Sequence, residues 1–168
     1  MLWVILSSTL GCSGGHKYAY LFYPHADLHL RRELLDREEA YVFSRIVDGE
    51  NLVLQYYHHE KPFQFLVQAT DQGITERLYI CLPSPETGKA LPLDERGVRI
   101  NYEYGGMALS PNAHDEVSGT VTLHRNTGDQ VVASLDVVVK LAGGQTRIIE
   151  GTYTFVRDDS MQRTGPDK

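Results

Sequence analysis

The sequence predicts an all-β protein, an antiparallel β-sandwich or small β-barrel of about eight strands with one short helix near its start. Three observations predict it. From residue 40 onward, apolar and polar residues alternate, as in a sheet with one dry and one wet face. The alternating runs are separated by turn chemistry, such as Asn126-Thr127-Gly128-Asp129 and Gly143-Gly144, where glycine and Asx residues favour reversal. One-sided strands must also bury their apolar faces, against a second layer or by closing on themselves.

The elements follow in order. Tyr18-Ala19-Tyr20-Leu21-Phe22-Tyr23 reads as a first strand ended by Pro24. Residues 27–39 read as the short helix, with Asp27 as N-cap and Leu28, Arg31, Leu34 and Leu35 at helical spacing. Strand is the competing reading there, because Leu28 and Leu30 flank His29. Residues 41–47 and 52–58 flank Asp48-Gly49-Glu50-Asn51 and predict a hairpin. Residues 63–68 predict a strand after Pro62. Residues 76–82 predict another, with Leu78, Ile80 and Leu82 on one face, stopped by Pro83-Ser84-Pro85. Residues 86–97 and 105–116 read as loops, and Val98, Ile100, Tyr102 and Tyr104 share one face of the strand between them. The last third predicts a meander over residues 117–124, 130–141 and 146–157. Its inward residues are Val121 and Leu123, then Val131, Ala133, Leu135, Val137 and Val139, then Ile149, Tyr153 and Phe155.

Upstream of the strands, residues 1–10 form an uncharged, largely apolar run that leads into Gly11-Cys12-Ser13-Gly14-Gly15. A bilayer-spanning helix needs about 20 apolar residues, so this run is too short to span. It reads as the h-region of an export signal, with a buried strand as the alternative. Thr9-Leu10-Gly11-Cys12 resembles the lipobox of bacterial lipoproteins. It departs from that pattern where Thr9-Leu10 replaces the usual Leu followed by Ala or Ser, and no Lys or Arg precedes the apolar run. The resemblance implies cleavage before Cys12, acylation of Cys12, and anchorage at the bacterial cell envelope. Ser13 after the cysteine implies the outer membrane in a Gram-negative cell. A plain cleaved signal would instead give a secreted or periplasmic protein. The expected organisation is a signal over 1–11, a lipidated cysteine and tether over 12–16, one β domain over 17–158 and a polar tail over 159–168.

Composition narrows the function. A net charge of −6 argues against nucleic acid, whose binding needs a basic surface. The chain has 2 cysteines. Lipidation would consume Cys12, so no disulfide is expected. Cys81 sits in the apolar run Leu78-Tyr79-Ile80-Cys81-Leu82 and reads as a small buried hydrophobe. Only Arg77 is close in sequence to favour a thiolate.

Candidate chemistry is sparse. His58 and His59 are adjacent, and in a strand they point to opposite faces. His58 with Glu60 has strand spacing for a shared ion, yet no third ligand is evident. His25 and His29 would share a face only on a helix. His114-Asp115-Glu116 lacks the alternating oxygens of a cation loop. No Gly-x-Ser-x-Gly elbow or phosphate loop occurs. No catalytic residue, metal ligand or cofactor is therefore expected. The 10 tyrosines are the hint toward binding, because a phenol ring offers an apolar face and a polar tip. Tyr102 and Tyr104 are the candidate ligand-binding residues. The expected function is a lipid-anchored envelope module for protein interaction or structure, touching the membrane through its lipid. The alternatives are small-ligand or glycan binding, and a hydrolase with a site on loops 83–97 and 105–116.

Overall fold

Alternation along the chain becomes one curled sheet in the structure, a computed structural model that describes residues 15–35, 39–60, 73–105, 114–141 and 144–159. In chain order the strands are β1 (His16–Leu35), β2 (Glu39–Asp48), β3 (Asn51–Glu60), β4 (Ile74–Leu82), β5 (Ala90–Pro92), β6 (Arg99–Gly105), β7 (His114–Asn126), β8 (Gln130–Leu141) and β9 (Thr146–Arg157). They lie in the order β5-β7-β8-β9-β1-β3-β4-β6, with β2 paired to β1 beside this path. Every pairing is antiparallel except β1 with β9, which is parallel over Leu21↔Val156 and Phe22↔Arg157. The sheet curls into a half-barrel whose outermost strands, β5 and β6, are not paired with each other.

The curl buries the inward faces. Along β8, Val131, Ala133, Leu135, Val137, Val139 and Leu141 are buried while the residues between them are exposed or half-buried. They meet Phe22, Leu52, Leu54, Leu78, Ile80, Leu82, Ile149 and Phe155 in one core. Each Val, Leu, Ile or Phe among them contributes about 1.5–3 kcal/mol by leaving water. Gly119 lies where β7 presses on β8. Its φ of 126° is one that L side chains rarely adopt, and a Cβ there would overlap the carbonyl oxygen of Asp136.

Four sequence expectations are corrected. The helix over 27–39 is absent: residues 27–35 continue β1, and Ala26 to Leu35 pair with β2. Cross-strand pairing satisfies the backbone there, and burial of Ala26 and Leu28 on one face suits a strand. Asp48-Gly49-Glu50-Asn51 is not a hairpin turn either. Asp48 and Asn51 both lie opposite Ala26, so β2 and β3 run in one direction along successive parts of β1. Pro24 does not end β1. It sits in a register shift between Tyr23 and Ala26, a place where a residue without an N–H is tolerated. The corner is tied by the Gly49 N–H donating to the His25 carbonyl at 3.1 Å. His25 takes a φ of 52° there, and a Cβ on Gly49 would meet the Asp27 Cβ at 2.6 Å. The fourth correction is small: the loop over 86–97 contains β5, a three-residue strand on the edge of β7. Such a short edge offers little template for foreign pairing. The expected strand over 63–68 and most of the loop over 105–116 lie outside the described residues, although β7 already begins at His114.

The corner folds the β1–β2 ribbon over the outer face of β3, β4 and β6. Tyr23, Ala26, Leu28 and Ile46 pack on Val53, Tyr79 and Cys81 in a second, smaller core. Buried polar groups under the ribbon are paired. Tyr23 donates to Gln55 at 2.7 Å, and Asn101 donates to the Ser44 hydroxyl at 2.7 Å. The Ser44 backbone N–H donates to Glu103 at 2.8 Å. Over β7, β8 and β9 the outer face stays wet, with Ser134 bonded to both His124 and Thr152 at 2.7 Å.

Candidate functional site

One end of the half-barrel carries the polar chemistry of the interior. The start of β1, the end of β3, the start of β4, the end of β6 and the start of β9 converge there. Strand parity sends Tyr18, Tyr20, Tyr56, His58, Glu76, Tyr102, Tyr104, Arg147 and Tyr153 inward at this end. Tyr20, Tyr56 and Tyr153 form an aromatic layer above Phe155, with centroids 4.9–5.7 Å apart among the tyrosines.

Above that layer sits the carboxylate of Glu76, with three polar partners among the described residues. Glu76 Oε1 accepts from the Tyr102 hydroxyl at 3.1 Å and lies 3.5 Å from Arg147 Nε. Its Oε2 lies 3.1 Å from His58 Nδ1. Arg147 Nη2 donates to the Tyr104 hydroxyl at 2.6 Å, and its guanidinium lies over the Tyr104 ring at 4.9 Å. Arg147 Nε is buried and makes no hydrogen bond among the described residues, so its attraction to Glu76 at 3.5 Å is that of an ion pair. Burial, then the charge and hydrogen bond of Glu76, push the Tyr102 phenol well above its ordinary range. Burial alone would lower the Arg147 value, but Tyr104 and Glu76 outweigh it and hold the guanidinium charged.

Tyr102 and Tyr104 are therefore not an open stacking face. They are 2% and 5% exposed, their rings lie parallel 6.4 Å apart, and their hydroxyls are committed to Glu76 and Arg147. The exposed aromatic at this end is Tyr18, at 53%. It stacks on its cross-strand partner His58 with centroids 4.5 Å apart and planes 7° apart. Alternating Tyr18-x-Tyr20 and Tyr56-x-His58 was visible in the sequence, but only the β1–β3 register places Tyr18 opposite His58.

The remaining candidates fall elsewhere. His59 points away from His58 and meets the Thr75 hydroxyl at 3.0 Å. His25 and His29 are exposed on a strand with a register shift, not on a helix face. Among the described residues, no group of three or more His, Cys, Asp or Glu side chains is placed to hold a metal ion. Cys81 is buried under the ribbon, 3.2 Å from Asp27 Oδ1. Its basic neighbour is Arg99, 3.6 Å away, rather than Arg77. Burial raises its pKa despite hydrogen bonds from Leu28 and Asn51, which makes it a poor nucleophile. Cys12 lies outside the described residues.

Chemically, Glu76 orients His58 as a carboxylate orients a general base. The far nitrogen of His58 meets His16 Nδ1 at 3.2 Å, an imidazole rather than the hydroxyl or thiol that nucleophilic catalysis needs. The geometry suits binding at the rim and cross-linking of the barrel end. No protein-family model, curated protein or solved structure matches the chain.

Proposed function

We propose that the chain is an exported protein anchored at the bacterial cell envelope through lipid on Cys12, and that it acts there as a protein-interaction module. One observation carries the reading: the exposed Tyr18 lies on the rim only six residues after Cys12. Each extended residue spans at most about 3.6 Å, so the stretch from Cys12 to His16 reaches about 14 Å. An acylated Cys12 would hold the Tyr18–His58 rim close to the bilayer, facing a partner at or in that membrane. The aromatic layer packed behind the rim supports contact through this surface rather than ligand storage at this end of the barrel. The apolar run and Gly11-Cys12 support export and anchorage.

A photo-crosslinking residue at position 18, in the native host, tests the reading against the same residue at Val156, which is also half exposed but outside the rim. The expected result is one discrete protein adduct from position 18, absent from position 156 and lost in Cys12→Ala. Identical adducts from both positions, or none from 18, would refute it.

A further inference from the structure

At the other end of the half-barrel, we propose a binding pocket for a small zwitterion with one apolar side chain, of the class of an aromatic or branched α-amino acid. The connection from β4 to β5 passes over a pocket of about 220 Å³. Its floor is Leu82, Leu91, Val121 and Leu123. Three of these belong to the buried core and Leu91 packs against it. They reach the pocket because the sheet ends at β5 and β6 without closing.

Size and charge set the ligand class. An apolar cavity of about 150 Å³ accepts benzene, so this pocket takes one ring or branched chain and little more. The rim carries Glu86, Lys89, Glu95 and Arg96, two of each sign. Lys89 stands 3.9 Å from Glu86 and offsets it. Glu95 and Arg96 make no ion pair among the described residues, and both are exposed. A guanidinium matches a carboxylate through paired N–H donors, and a carboxylate matches an ammonium. Together they fit a molecule carrying both charges. The lip is held in a shape of its own: Ser84 takes a φ of 42°, a conformation that costs energy for a non-glycine residue. This site is independent of Cys12 and of the Tyr18 rim.

Calorimetric titration of the full chain tests the proposal with three probes: L-phenylalanine, phenylacetate and phenethylamine. Phenylalanine should bind saturably, and each single-charge analogue about tenfold more weakly, a loss of about 1.4 kcal/mol. Arg96→Gln, at an exposed side chain, should weaken phenylalanine about tenfold and leave phenethylamine unchanged. Leu91→Trp, which fills the floor, should abolish binding. No saturable binding of phenylalanine at millimolar concentration, phenylacetate binding as tightly as phenylalanine, or indifference to Arg96→Gln would each overturn the proposal.

Discussion

Glu76 on β4 and Arg147 on β9 meet across the barrel interior, 3.5 Å apart, although β1 and β3 separate their strands within the sheet. Their contact is a clasp that fixes the curl. Removing the carboxylate takes a hydrogen-bond partner from the Tyr102 hydroxyl and from His58, and the ion-pair partner from Arg147. Glu76→Ala should cost about 2–3 kcal/mol in urea unfolding, because the buried Tyr102 hydroxyl and the largely buried His58 lose an acceptor. Arg147→Met, which retains packing, should cost less. Equal and negligible losses for both would mean that the clasp does not hold the curl.

The buried tyrosines predict alkaline unfolding. Burial, with Glu103 nearby, pushes Tyr79 up from its ordinary 10 to about 12. Tyr23, Tyr56 and Tyr102 are raised further still, chiefly by burial. A group whose folded value is raised binds its proton more tightly when folded. Its stabilisation is complete below pH 10 and is lost as pH climbs through the folded value. Phenolate absorbance and circular dichroism should therefore change together between about pH 10 and 12. Full phenolate formation with the sheet intact would contradict this.

Gly119 is predicted to tolerate no side chain. Gly119→Ala would drive a methyl into the Asp136 carbonyl oxygen across β7 and β8. A loss of about 3 kcal/mol or more is expected, from overpacking combined with an unfavourable φ. Gly128→Ala is the control, because nothing lies within 4 Å of a Cβ there. A smaller loss at 119 than at 128 would refute the close approach.

Cys81 reports on the ribbon. In a Cys12→Ala chain it is the remaining thiol, and it lies fully buried between the ribbon and the sheet. Labelling by a thiol reagent should wait for the ribbon to open and should accelerate in Gly49→Ala, which strains the corner. Immediate labelling of the native protein would show that the ribbon does not cover the thiol.

Much of the fold was legible because burial is one-sided. The meander from β7 to β9 reads directly, since Val131 to Leu141 alternate without interruption. The stretch from Pro24 to Leu35 was illegible for a physical reason. β1 buries Phe22 on its inner face and Tyr23 on its outer face, and after a register shift at Pro24 and His25 the outer face is taken by Ala26 and Leu28. A change of face breaks any simple period, and Leu28, Arg31, Leu34 and Leu35 then mimic helical spacing. The site was half legible. Tyrosine abundance pointed to Tyr102 and Tyr104, but their burial and the Glu76–Arg147 contact depend on strands distant in sequence. The exposed Tyr18 emerges only from the β1–β3 register.

The claim on which the proposed function rests is tested most directly by mass spectrometry of the N-terminus, on protein taken from native membranes. The account predicts a chain that begins at Cys12 and carries diacylglycerol on its sulfur. A chain that retains Met1, with an unmodified thiol at Cys12, would contradict it.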